Sequence, residues 1–331
     1  LKIGLIYDLD VDFMPNEHDA PDEDAELSTQ GEIEALSQAI LDLGHQLICI
    51  GDLENLMDFI RSGEKVDLMF NYAVGKRGRS REAQIPDVLD AFRIPYTGAD
   101  SFSLALGAEK AITKRIWQAV GLPTPEFCLI ESLEDLDNSD IQLPSFPLFV
   151  KPVREGSSKG VSNKSYVDSK ESLRKQVKYL LISYHQPVLV EKYLPGKEYS
   201  VALFGSGKNT KVFGVCEIAF RGKDFFDLTE KKKFKPQSFL PVTDQKLHAQ
   251  LAELGRQAHI AVDCQEVGRV DIKLDEKGNP SLIEINPNPG LHFRRSITPA
   301  IGEMVGLEYK EVISKIIQLA VIRWSLSMDS C

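Results

Sequence analysis

Two carboxylates and an amide near the C-terminus fall on one face of what reads as a β-hairpin. Over Gly268 to Gly290 (GRVDIKLDEKGNPSLIEINPNPG) two alternating stretches flank the turn segment Asp275 to Pro280. Side chains alternate along a strand, so Arg269, Asp271 and Lys273 are expected on one side and Val270, Ile272 and Leu274 on the other. On the return strand Leu282, Glu284 and Asn286 oppose Ile283 and Ile285. A hairpin symmetric about its turn sets Asp271 across from Glu284 and Arg269 across from Asn286. Facing carboxylates repel, which asks for a cation between them. Asp271, Glu284 and the Asn286 amide oxygen make a partial all-oxygen shell that Mg2+ accepts, leaving places for water and phosphate oxygens. The same pattern would also serve a hairpin whose polar face only meets water.

Three further stretches carry chemistry. Glu155 to Gly160 brings two glycines and two serines just after a strand, Phe149 to Pro152, that contains Lys151. Glycine lets backbone approach an anion, and hydroxyls, N–H groups and a lysine charge can hold phosphate, although most such loops are only turns. No lysine and Ser/Thr pair follows the last glycine into a helix, so a P-loop is disfavoured. Val188 to Leu194 sets Glu191 and Lys192 in an apolar strand, which suits either a nucleotide base or the wet side of an edge strand. Lys231, Lys232, Lys233 and Lys235 form a basic run beside Phe225, Phe226 and Asp227, read as a flap that carries a lysine to phosphate or as a solvated loop.

The elements that must position these groups begin with an open α/β layer. Strands at Ile3 to Tyr7, Gln46 to Ile50 and Val66 to Asn71 alternate with helices at Gly31 to Leu43 and Glu54 to Ser62. Asp8 to Gln30 is a polar, acidic connection far longer than usual, which points to a functional or disordered loop. A helix from Ser103 to Val120 carries Lys110 and stops at Gly121 and Pro123. Strands around Val161 to Val167 and Glu198 to Gly205, helices at Lys170 to Tyr184 and Asp244 to Val262, a polar loop Arg221 to Pro236 and a buried helix over Val312 to Leu326 complete the outline.

Composition narrows the functional classes. With 331 residues, 43% of them hydrophobic, the chain can bury two or three cores, and no apolar run is long enough for a membrane span. The start reads as a strand without a basic leader. A net charge of -10 argues against a nucleic-acid partner. Five scattered cysteines without paired spacing suggest a reducing, cytoplasmic setting.

In order along the chain, Lys110 in a helix, FVKPVREGSSKG, VLVEKYL followed by Glu198, the lysine run, and GRVDIKL paired with IEINPNPG resemble the ATP-grasp fold, and within it the D-alanine:D-alanine ligase family. The IPYTG turn, Ile94 to Gly98, is similar to that family too. The resemblance implies an N-terminal open parallel α/β domain (1–98) followed by two α+β ATP-grasp subdomains (99–190 and 191–331) that clamp ATP. It implies ATP with two Mg2+ ions, Mn2+ being able to substitute, and a homodimer formed through the N-terminal domain. Lys110, Lys151 and Lys231 would contact phosphates, and Ser157, Ser158 and Gly160 would form a flexible loop over them. Glu191, Lys192, Tyr193 and Leu194 would hold adenine with Phe225 packed on it, Glu198 would bind the ribose, and Asp271, Glu284 and Asn286 would hold Mg2+. Arg269, Lys231 and Ser157 would act on the transferred phosphate. The implied chemistry needs no covalent nucleophile: a carboxylate attacks the γ-phosphate and an amine then displaces phosphate.

The substrate segments depart from the family. Its Ser/Glu signature after the first strand has no counterpart by motif in DLDVDFMPNEHDAPDEDAELSTQ, where Glu23, Asp24 or Glu26 could substitute. Asn71 to Arg81 is basic where the family has histidine and acidic residues, and Phe226, Leu228 and Lys232 stand in its loop of tyrosines. After Gly290 come Leu291, His292, Phe293, Arg294, Arg295 and Ser296 in place of small polar residues. The expectation is an amide-forming ligase acting on small carboxylate and amine substrates other than two D-alanines, with Arg294 or Arg295 pairing with an extra carboxylate. Two D-alanines, a kinase that stops at phosphorylation, and an ATP-binding sensor or scaffold without chemistry are the alternatives.

Overall fold

A computed structural model describes residues 1–17, 19–219 and 238–326. The lysine run and Phe225, Phe226 and Leu228 lie outside the described residues. Within them the chain builds three sheets.

The first is parallel, β2 (Gln46–Gly51), β1 (Lys2–Ile6) and β3 (Leu68–Asn71) in that order. Apolar residues at helical spacing, Ile33, Leu36 and Ile40, turn helix α1 (Gln30–Asp42) onto it, and the C-terminal helix Tyr309–Trp324 returns to the same core through Ile313, Ile316 and Ile317. Helix α2 (Leu53–Ser62) shows how local sequence fixes ends: the Asp52 carboxylate accepts from the Glu54 and Asn55 amides, and Gly63 closes it at φ 78°. Among the described residues between Asp8 and Gln30, 3-10 turns form at Asp10–Asp12 and Glu23–Glu26. Beyond β3 lies the short helix α3 (Gln84–Ala91).

The helix expected over Ser103 to Val120 is two helices, α4 (Ser101–Ala108) and α5 (Lys110–Ala119), broken at Glu109 with ψ 75°. Arg79 and Arg154 both donate to the Glu109 carboxylate, fixing the break where three segments meet. The second sheet is antiparallel, ordered β4 (Phe127–Ile130), β7 (Val188–Lys192), β5 (Leu148–Pro152), β6 (Tyr166–Val167), and is covered by α6 (Lys170–Tyr184). The strand expected over Val161 to Val167 shrinks to two residues, because Ser162 draws the Lys164 and Ser165 amides into a turn.

The third sheet, also antiparallel, is ordered β10 (Phe239–Pro241), β9 (Lys211–Ile218), β8 (Glu198–Phe204), β11 (Val267–Leu274), β12 (Pro280–Asn286). Helix Gln245–Ala261 packs on one face, and Trp117 of α5 enters the same core, its Nε1 donating to the Ala258 carbonyl at 3.1 Å. Asp271 does pair with Glu284 and Arg269 with Asn286. Strict alternation fails one step further on: Ile272 pairs with Leu282, so Ile283 is an extra, bulged residue. The bulge turns Leu282 into the core beside Val270 and Ile272, while Ile283 and Glu284 both line the cleft on the other side. Among the described residues no helix is long and apolar enough to cross a membrane.

Candidate active site

A cleft of about 450 Å³ opens between the second and third sheets and is roofed by the acidic N-terminal segment. At its centre lies a chain of alternating charges. Lys151 of β5 is 3.0 Å from one Glu191 oxygen and 3.9 Å from Glu284, Lys110 is 3.6 Å from Glu284, and Lys114 is 3.0 Å from the other Glu191 oxygen. Burial alone would raise the Glu284 carboxyl, yet Lys110, Lys151 and Arg269 hold it down to about 2. Burial pulls the Lys114 ammonium down to about 8 against the attraction of Glu191. Lys110 sits at the first position of α5 because the helix breaks at Glu109, and Lys114 is one turn further on the same face. The i, i+4 spacing of the two lysines was a signal in the sequence that strand patterns alone did not use.

On the hairpin face Arg269 grips the Asp271 carboxylate with two bonds, Nε to Oδ1 at 2.9 Å and Nη2 to Oδ2 at 2.8 Å. Ser200 also donates to Asp271, as does the Asn286 amide at 3.1 Å, which leaves the amide oxygen of Asn286 over. Burial raises the Glu198 carboxyl; Lys273 opposes this, and Asp271 and Glu284 add to it. Among the described residues no three His, Cys, Asp or Glu side chains converge as a metal cage. Two carboxylates facing each other with an amide oxygen beside them still fit a hard divalent cation that takes its remaining ligands from phosphate and water.

The Glu155 to Gly160 loop is built from turns, with Ser157 at φ 50°, Ser158 at 63° and Gly160 at 74°. The Lys159 and Val161 amides close turns on the Gly156 and Ser158 carbonyls, while Gly156, Ser157 and Ser158 line the cleft. The acidic segment locks against this loop. Asp22 accepts from the Gly160 amide at 2.9 Å and from the Tyr184 hydroxyl at 2.8 Å, and the fully buried Lys159 ammonium lies 2.6 Å from Glu155 and 3.2 Å from Glu23. Glu26 pairs with Arg81. Glu23 thus serves the loop and faces a second, smaller cavity, while Asp24 and Glu26 line the main cleft. On β7 the Glu191 carboxylate is taken by lysines and the Lys192 ammonium by the Ser145 and Phe146 carbonyls at 3.0 Å, and Tyr193 and Leu194 continue along the cleft wall.

At the other end Gly290, His292, Arg295 and Ser296 line the cleft. Gly290 has no room for a side chain, because a Cβ there would meet the Ser296 oxygen at 2.9 Å. Arg295 donates to His292 Nε2 at 3.1 Å; burial and the two arginine charges pull the His292 imidazole down to about 4, so it is neutral and can accept. Arg294 is exposed, its guanidinium 5.3 Å from the Phe293 ring centre. Neither Glu32 nor Tyr72 stood out in the sequence, yet they tie the two ends of the chain together: the Tyr72 hydroxyl donates to Glu32 at 2.5 Å and accepts from the Leu291 amide at 2.7 Å. Glu82, also on the cleft wall, was missed for want of any motif around it.

Two antiparallel sheets closing on a lysine-rich, carboxylate-bearing cleft, with a parallel layer before them, define an ATP-grasp enzyme of the class that forms carbon–nitrogen bonds. Residues 116–318 match the family model described as D-ala D-ala ligase C-terminus. The chain is 30% identical over 289 residues to a D-alanine–D-alanine ligase of Haemophilus ducreyi, covering 87% of this chain and 91% of that one. It is 31% identical over 312 residues, 89% of each chain, to the uncharacterized protein y4sG of Sinorhizobium fredii. The crystal structure of D-alanine–D-alanine ligase from Bacillus anthracis complexed with ATP superposes with a TM-score of 0.72 at 19% identity, covering 98% of both chains. The chain belongs to the D-alanine–D-alanine ligase family.

Proposed function

We propose that this chain joins a small carboxylate to an amine at the expense of ATP, through an acyl phosphate, and that its substrate pair is not two D-alanines. The observation that carries the reaction type is the meeting of Lys110, Lys151 and Arg269 with Asp271 and Glu284 in one cleft. Phosphoryl transfer depends on positioning and charge stabilisation, and these groups offer both. Lys110 and Lys151 hold the phosphates, with the loop of Ser157, Ser158 and Gly160 above them; the end of β7 and the residues after it, Glu191 to Leu194, hold the base, and Glu198 the ribose. Asp271, Glu284 and Asn286 hold Mg2+, which when bound supplies a Lewis acid for the phosphate oxygens. Arg269, steadied by Asp271, steadies the negative charge that grows on the transferred group. Lys231 and Phe225 complete the nucleotide site in this reading. The carboxylate oxygen attacks the γ-phosphorus and ADP leaves; the amine nitrogen then attacks the acyl carbon, and phosphate departs as the nitrogen loses its proton.

The altered substrate pair is supported by Arg295, which faces the cleft beside neutral His292, whereas Arg294 is turned outward. With its Nε spent on His292, the Arg295 guanidinium keeps its two Nη groups for a second carboxylate on a substrate. The reading in which both substrates are D-alanine draws on the names carried by the relatives. ADP release with Mg-ATP, amino acids and dipeptides singly and in pairs, with products weighed by mass spectrometry, separates the two. An amide mass other than D-alanyl-D-alanine is expected, with turnover reduced in Arg295→Ala. Fast turnover of D-alanine alone, kept by Arg295→Ala, would sink the altered pair.

A further inference from the structure

A fully buried ammonium joins two segments that the reaction above uses separately. The Lys159 side chain is 0% exposed, and its Nζ lies 2.6 Å from Glu155 of its own loop and 3.2 Å and 3.9 Å from Glu23 and Glu26 of the acidic segment. Arg81 of the N-terminal layer is the second cation of this cluster, paired with Glu26 and 3.9 Å from Glu155. Two cations thus face three carboxylates. Gln186 donates to one Glu155 oxygen at 2.7 Å, while the other oxygen is buried against Lys159 with Arg81 further off. Without the ammonium, Glu155 would face Glu23 and Glu26 with Arg81 alone between them. Stripping one partner from a buried ion cluster is costly because it strands the charge left behind.

The two segments also meet closely around that cluster. The Gly160 amide donates to Asp22 at 2.9 Å, and Gly156 backs on Glu26 so closely that a Cβ would collide with the carboxylate. Between these contacts Ser157 and Ser158 hold left-handed φ angles of 50° and 63°, which side chains keep only where their surroundings impose them. Asp24 and Glu26 line the cleft from the acidic segment, and Ser157 and Ser158 line it from the loop.

We propose that Lys159 is a positioning residue that makes the Glu155 to Gly160 loop and the acidic segment one conformational unit, so that a phosphate-bearing ligand held beneath the loop also closes the acidic wall of the cleft. The acidic segment is where the sequence departs from its family, so this coupling belongs to the present chain. The ligand beneath the loop rests on the nucleotide reading above; the joining of the two segments does not.

Hydrogen exchange of the full chain, read by mass spectrometry on peptides over residues 19–29 and 153–162, tests the proposal with and without Mg2+ and a non-hydrolysable ATP analogue. In wild type the analogue is expected to slow both peptides together. Lys159→Met speeds exchange in both by roughly tenfold or more while peptides of the third sheet are unchanged, and the analogue then slows the loop peptide alone. Adding Glu155→Gln to Lys159→Met removes the stranded charge and brings both peptides back to within about threefold of wild type. The proposal is overturned if Lys159→Met loosens the loop alone, if neither peptide changes, or if the added Glu155→Gln restores nothing, as lost packing would. If the analogue slows neither peptide in wild type while Lys159→Met still loosens both, the nucleotide reading and the ligand's part in the closure fall, and the joining of the two segments by Lys159 stands. If the analogue slows only the loop in wild type, the nucleotide reading stands and the coupling falls.

Discussion

Arg269 is held in place by the residue it faces along its own strand. Two bonds to Asp271 fix the guanidinium plane, and the Ser200 hydroxyl and Asn286 amide fix Asp271 in turn. Lysine keeps the charge but cannot make the paired bonds, so Arg269→Lys is expected to lower kcat roughly a hundredfold, the scale of losing one aimed donor, with little change in affinity for an ATP analogue. Steady-state ADP release and analogue titration check this; an unchanged kcat would remove Arg269 from the chemistry.

Elements aim these residues, and one irregularity decides how. Because β12 bulges at Ile283, Leu282 fills the core and Ile283 meets the cleft. Leu282→Ala is therefore expected to cost about 2–4 kcal/mol and Ile283→Ala about 1 kcal/mol or less in urea unfolding. Equal losses, or the reverse order, would contradict the bulge. The hairpin and the facing of Asp271 with Glu284 were legible because a period of two and a polar turn leave few registers, but a bulge has no signature in GRVDIKL or SLIEINP. The break at Glu109 escaped for a related reason. It is imposed by Arg79 and Arg154, 30 and 45 residues away, and local helix propensity carries no trace of them. The docking of the acidic segment on the Glu155 to Gly160 loop likewise rests on pairs such as Asp22 with Gly160, distant in sequence.

Across the whole molecule, a latch joins the IPYTG turn, the start of β11 and the C-terminal helix. Glu266, 2% exposed, accepts from the Gly98 amide at 2.8 Å and pairs with Arg323 at 3.1 Å, while Arg323 also donates to the Gly98 carbonyl and the Tyr96 hydroxyl. Burial outweighs Arg323 and pushes the Glu266 carboxyl up from 4.5 to about 7. Between those values the folded chain binds more protons than the unfolded one. This contribution to stability is thus full below pH 4.5 and is lost as pH rises through 7, at no more than about 1.4 kcal/mol per pH unit. Thermal unfolding of wild type against Glu266→Gln should show that extra slope in wild type only; parallel curves would contradict it.

The same molecule-wide arrangement brings Lys110 of α5, Lys151 of the second sheet and Glu284 of the third to one cleft, and the central claim is that a substrate carboxylate is phosphorylated there. The most direct measurement is the fate of oxygen-18 in the carboxylate of a substrate found by ADP release. The account predicts one labelled oxygen in the released phosphate and one retained in the amide. ADP and amide formed with no label in phosphate would contradict it.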